Sequence, residues 1–150
     1  MKFLIQRVSE ASCTADGTVT GRIGRGFLVL IGISDRDDED VALRMVKKMI
    51  GLRIFEDENG KTNRSLRDAN GGLLLISQFT LYADCKKGNR PSFTGAGKPD
   101  HAERLYERII AACKQEVPCV ERGIFGADMK IALLNDGPFT VLLDSDELFR

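Results

Sequence analysis

Two nearly uninterrupted apolar runs leave few folds open to this chain. Residues 27–33 read FLVLIGI, and residues 73–82 read LLLISQFTLY. The first run is typical of a strand buried on both faces, and the second predicts the most apolar strand of the chain. The 150 residues are enough for one domain with a core of this kind. We therefore predict a single domain spanning residues 1–150.

The rest of the chain adds strands and helices around these two runs. Alternation and composition predict further strands at 2–8, 18–23, 52–56, 119–125, 129–134 and 139–143. One helix is predicted after Asp35, Asp37 and Asp38 and ends at Gly51, and a second is predicted from Pro99 to about Gln115. Strands outnumber helices and the helices are scattered between them. The pattern therefore predicts a mixed sheet in an α/β (α+β) fold.

Composition and charge exclude several classes of protein. Acidic and basic residues number 22 each, so the surface as a whole cannot be a basic nucleic-acid footprint. An apolar run of only three residues precedes Gln6 and Arg7, which does not fit a signal peptide, and no apolar segment reaches the length needed to span a membrane. The four cysteines form no CxxC pair, so we expect free thiols in a reducing cytoplasm and no zinc site.

The chain contains one histidine, which limits the available catalytic chemistry. His101 lies in the predicted first turn of the second helix, among polar neighbours, and is interpreted as a solvated surface residue. The glycines within 21–26 lack the strand-to-helix setting of a nucleotide-binding loop and are interpreted as turn residues. Chemistry without histidine must use hydroxyls, amides and backbone dipoles, and we expect no cofactor.

Two polar segments are candidates for such chemistry. The residues Ser77-Gln78-Phe79-Thr80 interrupt an apolar run, and in a strand Gln78 and Thr80 would share one face. These polar groups could equally pair across strands or face solvent. The second segment is Asn135-Asp136-Gly137-Pro138, where a simple turn would explain the composition.

A family resemblance decides between these alternatives. SQFTLY (77–82) and NDGPFT (135–140) together resemble the paired signature of the D-aminoacyl-tRNA deacylase family. Supporting segments in matching order are IQRV (5–8), GKTNRSL (60–66), KGNRPSF (87–93) and FGADM (125–129). Phe139 departs from the family, which more often has valine there. The resemblance implies a mainly antiparallel, curved sheet with two or three helices, in a barrel-like arrangement that a homodimer completes.

The resemblance also implies an activity and a set of site residues. Family members hydrolyse the ester between a D-amino acid and the 3′-terminal adenosine of tRNA, at sites on the subunit interface. Gly137-Pro138 would be cis and would enter the partner's site, where its carbonyl oxygens accept hydrogen bonds from the substrate ammonium. Arg7 would orient that turn, and Ser77 would contact the substrate. L-amino acids would be rejected sterically, whereas glycine would be accepted.

The same resemblance assigns the reacting centre. Backbone N–H groups around Phe79 and Thr80 would stabilise the oxyanion, with Gln78 shaping the site. Thr80 could act as a nucleophile. Alternatively, water attacks the ester with help from the vicinal ribose hydroxyl of the substrate, and the protein only positions it. We favour this second alternative because no base that could activate Thr80 is evident. Phe125 and Met129 would line the adenosine pocket, although both could equally be core residues.

A tRNA substrate requires positive surface in this neutral chain. Residues 86–98 contain no acid, and the predicted tRNA contacts are Lys86, Lys87 and Arg90. A solvated loop is the alternative interpretation of this segment. Two other functions remain open at this point: a non-catalytic tRNA- or RNA-binding module on the same fold, and a hydrolase for another ester or amide.

Overall fold

Eight strands, three α-helices and one 3₁₀ helix make up residues 1–149, the part of the chain that the computed structural model describes. The strands are β1 (Lys2–Ala15), β2 (Thr18–Ile23), β3 (Gly26–Gly32), β4 (Phe55–Glu56), β5 (Thr62–Arg64), β6 (Gly72–Ser77), β7 (Val120–Arg122) and β8 (Met129–Asp144). The helices are α1 (Glu39–Ile50), the 3₁₀ helix (Phe79–Tyr82), α2 (Pro99–Glu116) and α3 (Ser145–Phe149).

The long strand β1 organises the main sheet. One edge of β1 pairs antiparallel with β3 and then β2, and its other edge pairs antiparallel with β8 along nearly its whole length. The order continues from β3 to β6 to β7 through two parallel pairings. The sheet curves until β2 approaches β7, where a side chain at Gly21 would lie 3.0 Å from the carbonyl oxygen of Arg122. The predicted mixed, mainly antiparallel curved sheet is confirmed.

Strand β3 is buried on both faces, as its composition predicts. Phe27, Val29 and Ile31 pack into the larger core cluster together with α1 and α2, whereas Leu28 packs into a smaller cluster on the other face. The two long helices cover the first face because their apolar residues recur at helical spacing. Asp38 caps α1 by accepting a 2.9 Å hydrogen bond from the N–H of Val41.

The predicted strand at 73–82 is too long. Strand β6 ends at Ser77, opposite Ile31, and the residues that follow form the 3₁₀ helix. The reason is that β6 loses both partners: β7 pairs no further than Leu75, and β3 ends at Gly32. Backbone groups without a neighbouring strand satisfy one another locally, and a short 3₁₀ turn does this.

The predicted strands at 129–134 and 139–143 are one strand. Both halves pair with β1, with Asn135 opposite Val8 and Thr140 opposite Gln6. The four residues 136–139 therefore stand opposite the single residue Arg7, as an extended bulge. The predicted turn is wrong in this sense, because the chain direction is the same before and after it.

Smaller differences concern element ends. Strand β1 continues to Ala15, because buried Ala11, Cys13 and Ala15 extend its alternation beyond residue 8. The strand predicted at 52–56 keeps only Phe55–Glu56, which pairs with the short strand β5. Helix α3 was not predicted from the sequence. Within residues 1–149, no helix is both long and apolar enough to cross a membrane.

Candidate active site

The segment after β6 forms the first part of the candidate site. Ser77 is the half-buried last residue of the strand, and Gln78 precedes the 3₁₀ helix. The Nε2 of Gln78 donates a 2.5 Å hydrogen bond to the hydroxyl oxygen of exposed Thr80. The two side chains meet as predicted, but the contact spans the start of a 3₁₀ helix, not the face of a strand.

Two consecutive backbone N–H groups in this segment have no acceptor within the 3₁₀ helix. The N–H of Gln78 donates to the carbonyl of Ile31 at 2.7 Å, and the first bond of the helix runs from Leu81 to the carbonyl of Gln78 at 3.3 Å. The N–H groups of Phe79 and Thr80 lie between these two bonds. Paired backbone donors of this kind can stabilise an oxyanion.

An aromatic surface borders these donors. The Phe79 side chain is 58% exposed, and its ring meets that of Phe93 edge-on at 5.1 Å between centroids. Tyr82, at the end of the 3₁₀ helix, is half-buried, and burial raises the pKa of its phenol. The site thus combines exposed backbone donors with apolar contact area.

The side chain of Arg7 stabilises the bulge of β8. Its side chain is almost fully buried, and its Nε donates to the carbonyl oxygen of Asp136 at 2.9 Å. Its Nη1 donates to the carbonyl oxygen of Ile54 at 2.6 Å, and the guanidinium lies 4.8 Å from the ring centroid of Phe139. Arg7 therefore joins the bulge to the segment before β4, which fits the orienting role expected for it.

The bulge also has an internal brace. Asn135 accepts a 2.6 Å hydrogen bond from the N–H of Phe139, and its Nδ2 donates to the Thr140 hydroxyl at 3.0 Å. Gly137 and Pro138 are exposed, and the peptide bond between them is cis. From the sequence, Asn135 was assigned only to a turn, although asparagine side chains in turns often hydrogen-bond nearby backbone groups.

The two parts of the candidate site are apart within one chain. Ser77 pairs with Ile31, which in turn pairs with Phe3, whereas the bulge lies opposite Arg7. Four residues of β1 separate these positions, which is about 13 Å along the strand. One chain alone does not bring Gly137-Pro138 to Thr80.

Phe125 and Met129 both pack against the core. Phe125 lies 6.0 Å from the ring of Tyr106, and Met129 pairs with Ala15 at the start of β8. The N–H of Gly123 donates to the carbonyl of Leu75 at 3.1 Å, which carries the chain toward the end of β6. Both residues are half-buried, so the alternative core role foreseen for them is compatible with their packing.

The basic loop follows the 3₁₀ helix directly. Asp84 and Ser92 exchange backbone hydrogen bonds of 2.7 and 2.9 Å and close the loop at its base. Lys86, Lys87 and Arg90 lie exposed at its tip, and none of them joins an ion pair in the described part of the chain. Their charge is therefore available to a partner near the candidate site.

His101 is not the fully solvated residue that the sequence suggests. It is half-buried, and its Nε2 lies 2.9 Å from the carbonyl oxygen of Asp37. This contact joins α2 to the segment before α1, so the histidine has a structural role at a helix junction.

Comparison with known proteins agrees with this geometry. The family model described as D-Tyr-tRNA(Tyr) deacylase matches residues 4–144. A D-aminoacyl-tRNA deacylase from Thermus aquaticus is 52% identical over 147 residues, covering 98% of this chain and 97% of that protein. Family membership and the expected enzyme class are thereby confirmed.

Two solved structures share the fold. The c-Myc DNA Unwinding Element Binding Protein superposes with a TM-score of 0.90 at 39% identity, covering 96% of this chain and 98% of that one. A structure described as a probable eukaryotic D-amino acid tRNA deacylase has a TM-score of 0.80 at 20% identity, with 95% and 97% coverage, and supports the fold alone. The match over residues 4–144 and the relative from Thermus aquaticus lead to one conclusion: the chain belongs to the D-Tyr-tRNA(Tyr) deacylase family.

Proposed function

We propose that this protein hydrolyses the ester bond of D-aminoacyl-tRNA and releases the free D-amino acid and tRNA. The observation that carries the proposal is the pair of N–H groups of Phe79 and Thr80, which belong to exposed residues at the start of the 3₁₀ helix and have no acceptor within it. Attack of water on the ester carbonyl carbon generates a tetrahedral oxyanion, which two such donors stabilise. The bond from the carbonyl carbon to the ribose 3′ oxygen then breaks, and that oxygen receives a proton.

Thr80 positions the reactants in this scheme and does not attack the ester. Its hydroxyl is paired with the Nε2 of Gln78, which is an amide donor and cannot accept the threonine proton. A nucleophilic hydroxyl needs an adjacent base. The vicinal ribose hydroxyl of the substrate therefore helps to deliver the water, and Gln78 and Ser77 shape the space around it.

The active unit is a homodimer in which Gly137-Pro138 enters the partner's site. Support comes from the offset of about 13 Å along β1 between the two parts of the site within one chain. Support also comes from β8, which pairs with β1 on one side and carries Leu134 and Leu142, exposed to 60% and 55%. Exposed leucines on an edge strand are typical of an interface.

In this proposal, the enzyme distinguishes D- from L-amino acids by steric exclusion of the L side chain. The bulge carbonyls bind the substrate ammonium while the N–H pair binds the carbonyl, which fixes two groups on the substrate Cα. Backbone atoms of Gly137-Pro138 then occupy the position of an L side chain, whereas a D side chain points to open space. Glycine has hydrogens at both positions, so glycyl-tRNA is also a substrate.

The tRNA end is bound by the surroundings of the 3₁₀ helix. Phe125 and Met129 form one wall of the adenosine pocket, and Lys86, Lys87 and Arg90 contact phosphates. The cellular location that fits this substrate is the cytoplasm, where Cys13, Cys85, Cys113 and Cys119 remain the free thiols that they are in the structure.

The test is a direct hydrolysis assay. Purified protein treated with a chelator is incubated with D-tyrosyl-tRNA and, separately, with L-tyrosyl-tRNA. The expected result is release of D-tyrosine at a rate far above the spontaneous one, with the L-ester spared. Equal rates on both esters, or no rate above background, would contradict the proposal.

A non-catalytic nucleic-acid-binding module is the second candidate. The name of the structural relative at 39% identity, a DNA unwinding element binding protein, favours it. In that case, the protein would bind uncharged nucleic acid and leave D-tyrosyl-tRNA intact. The same assay, combined with a binding measurement on uncharged tRNA, separates the two candidates.

A further inference from the structure

The hydrogen-bond ladder between β3 and β6 stops one step before Thr80. Bonds in a parallel pair are evenly spaced and recur every second residue along each strand. The bond from the N–H of Gln78 to the carbonyl of Ile31, at 2.7 Å, is the last one formed. The next bond in the same series would run from the N–H of Thr80 to the carbonyl of Ile33.

Gly97 occupies that acceptor. Its N–H donates a 2.8 Å hydrogen bond to the carbonyl oxygen of Ile33. Gly97 belongs to the loop that leads into α2, and this loop therefore lies where a longer β6 would otherwise continue. The loop is held there by a 2.8 Å bond from the N–H of Lys98 to the carboxylate of Asp35.

A residue without a side chain fits this position best. A Cβ at residue 97 would lie 3.1 Å from the carbonyl carbon of Ser34, 3.2 Å from the carbonyl oxygen of Ile33 and 3.3 Å from the nitrogen of Asp35. All three are backbone atoms, so no side-chain rotation can relieve the contacts. A side chain here requires the loop and residues 33–35 to move apart by a few tenths of an ångström.

A second glycine, Gly32, lies against the 3₁₀ helix that follows β6. A Cβ at Gly32 would lie 3.0 Å from the Cβ of Leu81 and 3.3 Å from the ring of Tyr82. The helix thus rests on the bare backbone at the end of β3. Its first residues are held between this contact and the Gln78–Ile31 hydrogen bond.

We propose that Gly97 is a positioning residue for ester hydrolysis: its N–H takes the carbonyl of Ile33 and so leaves the N–H of Thr80 available to the substrate oxyanion. The inference rests on the proposed function, since it concerns the donor that the proposed reaction uses. The competition between the N–H groups of Gly97 and Thr80 for the carbonyl of Ile33 can be tested without measuring activity.

The kinetic test compares two alanine substitutions in the same loop. Gly97→Ala introduces the backbone contacts described above, whereas a Cβ at Gly95 meets only ordinary contacts of 3.7 to 3.8 Å. We expect Gly97→Ala to lower kcat on D-tyrosyl-tRNA by about ten- to a hundredfold, because oxyanion donors act only at close range. KM and the D-to-L preference stay within about twofold of the unsubstituted protein, and Gly95→Ala leaves all three unchanged.

Amide hydrogen exchange supplies a readout that does not depend on turnover. In the unsubstituted protein, the N–H groups of Gln78 and Gly97 exchange slowly and that of Thr80 exchanges fast. Displacement of the loop by Gly97→Ala lets the N–H of Thr80 reach Ile33, and its exchange then slows.

The outcomes are distinguishable from failure of the proposed function. Without deacylase activity in the unsubstituted protein, the proposed function is wrong, and exchange still tests the competition. Equal kcat in Gly97→Ala and Gly95→Ala, or slow exchange of Thr80 in the unsubstituted protein, overturns the inference. If Gly97→Ala does not fold, Asp35→Ala replaces it, because losing the Lys98 bond loosens the same loop and should lower kcat in the same way.

Discussion

Arg7 and Asp136 are joined by a 2.9 Å hydrogen bond from the Nε of the arginine to the carbonyl oxygen of the aspartate. The Asp136 carboxylate is 3.9 Å from the same nitrogen, but it is exposed and contributes little. The backbone contact is the informative one, because Arg7 is the single β1 residue opposite the whole bulge. A buried guanidinium with several donors can fix such a bulge where no ladder bonds exist.

Replacing Arg7 by methionine should loosen the bulge. The carbonyls of Asp136 and Ile54 would lose their donors, which lowers the free energy of unfolding by about 1–3 kcal/mol. We also expect faster hydrolysis of L-alanyl-tRNA, because the excluding backbone moves. Denaturant unfolding and hydrolysis rates measure both effects. Arg25→Met, at an exposed arginine stacked 4.9 Å from Phe55, is the matched control and should keep selectivity.

Thr80→Ala should retain measurable activity. The alanine variant keeps the backbone N–H and loses only the hydroxyl, so we expect less than about a tenfold fall in kcat. A substrate whose ribose lacks the vicinal hydroxyl should react at least about a hundredfold more slowly, the usual range for a lost proton-transfer group. Single-turnover kinetics compare the two. A trapped acyl-threonine in the unsubstituted protein, with an inactive Thr80→Ala, would assign the nucleophilic role to Thr80 instead.

Glycyl-tRNA should be hydrolysed and L-alanyl-tRNA spared. The two esters differ by one methyl group, and hydrophobic contact alone distinguishes a methyl by about 10- to 200-fold. Exclusion by rigid backbone predicts a larger ratio of kcat/KM. Comparable rates on the two esters would mean that the bulge does not act by exclusion.

The double substitution of Lys86 and Lys87 by glutamate should weaken tRNA binding. Each lost phosphate contact lowers the slope of log affinity against log salt by roughly 0.7 to 0.9. Filter binding at several salt concentrations measures this slope. The matched control is the same change at Lys47 and Lys48, in the last turn of α1, which should leave it unaltered. Unchanged affinity and slope in the loop variant would contradict a role in tRNA binding.

Leu134→Glu should separate the subunits and abolish hydrolysis together. A charge on an apolar interface opposes association, and each subunit then lacks the bulge of its partner. Sedimentation gives the oligomeric state, and activity is followed at the same concentrations. Val19→Glu, at a 48% exposed valine on β2, is the control. A fully active monomer would be incompatible with a shared site.

Local patterns predicted the elements whose residues face the core. Ala42, Met45, Val46 and Met49 recur at helical spacing and lie buried in α1, and the run 27–33 forms the doubly buried strand β3. In these two elements, the apolar residues that form the sequence pattern are the same residues that the core buries. Boundaries such as Ser77 differ, because a strand also ends where its neighbours end, and β3 and β7 are distant in the chain.

The candidate site was predicted where a resemblance named its residues, and only there. Arg7 was identified in this way, but its acceptor at Ile54 was not, because a backbone carbonyl carries no residue signature. The role of Gly97 was not predicted from the sequence for a similar reason. Its contact with Ile33 depends on how a loop returns to the edge of a strand more than sixty residues earlier in the chain.

The bulge of β8 sets how far Gly137-Pro138 projects from the sheet. An insertion in an ordinary strand turns every later side chain to the opposite face. Here the residues 136–139 lie outside the ladder, and the strand re-enters its pairing at Thr140, so Val141 and Leu143 keep their register with β1. A residue added or removed in this stretch would alter how far Gly137-Pro138 projects without turning the later side chains of β8 to the opposite face. The reach of the bulge can therefore change while the register of the strand is kept.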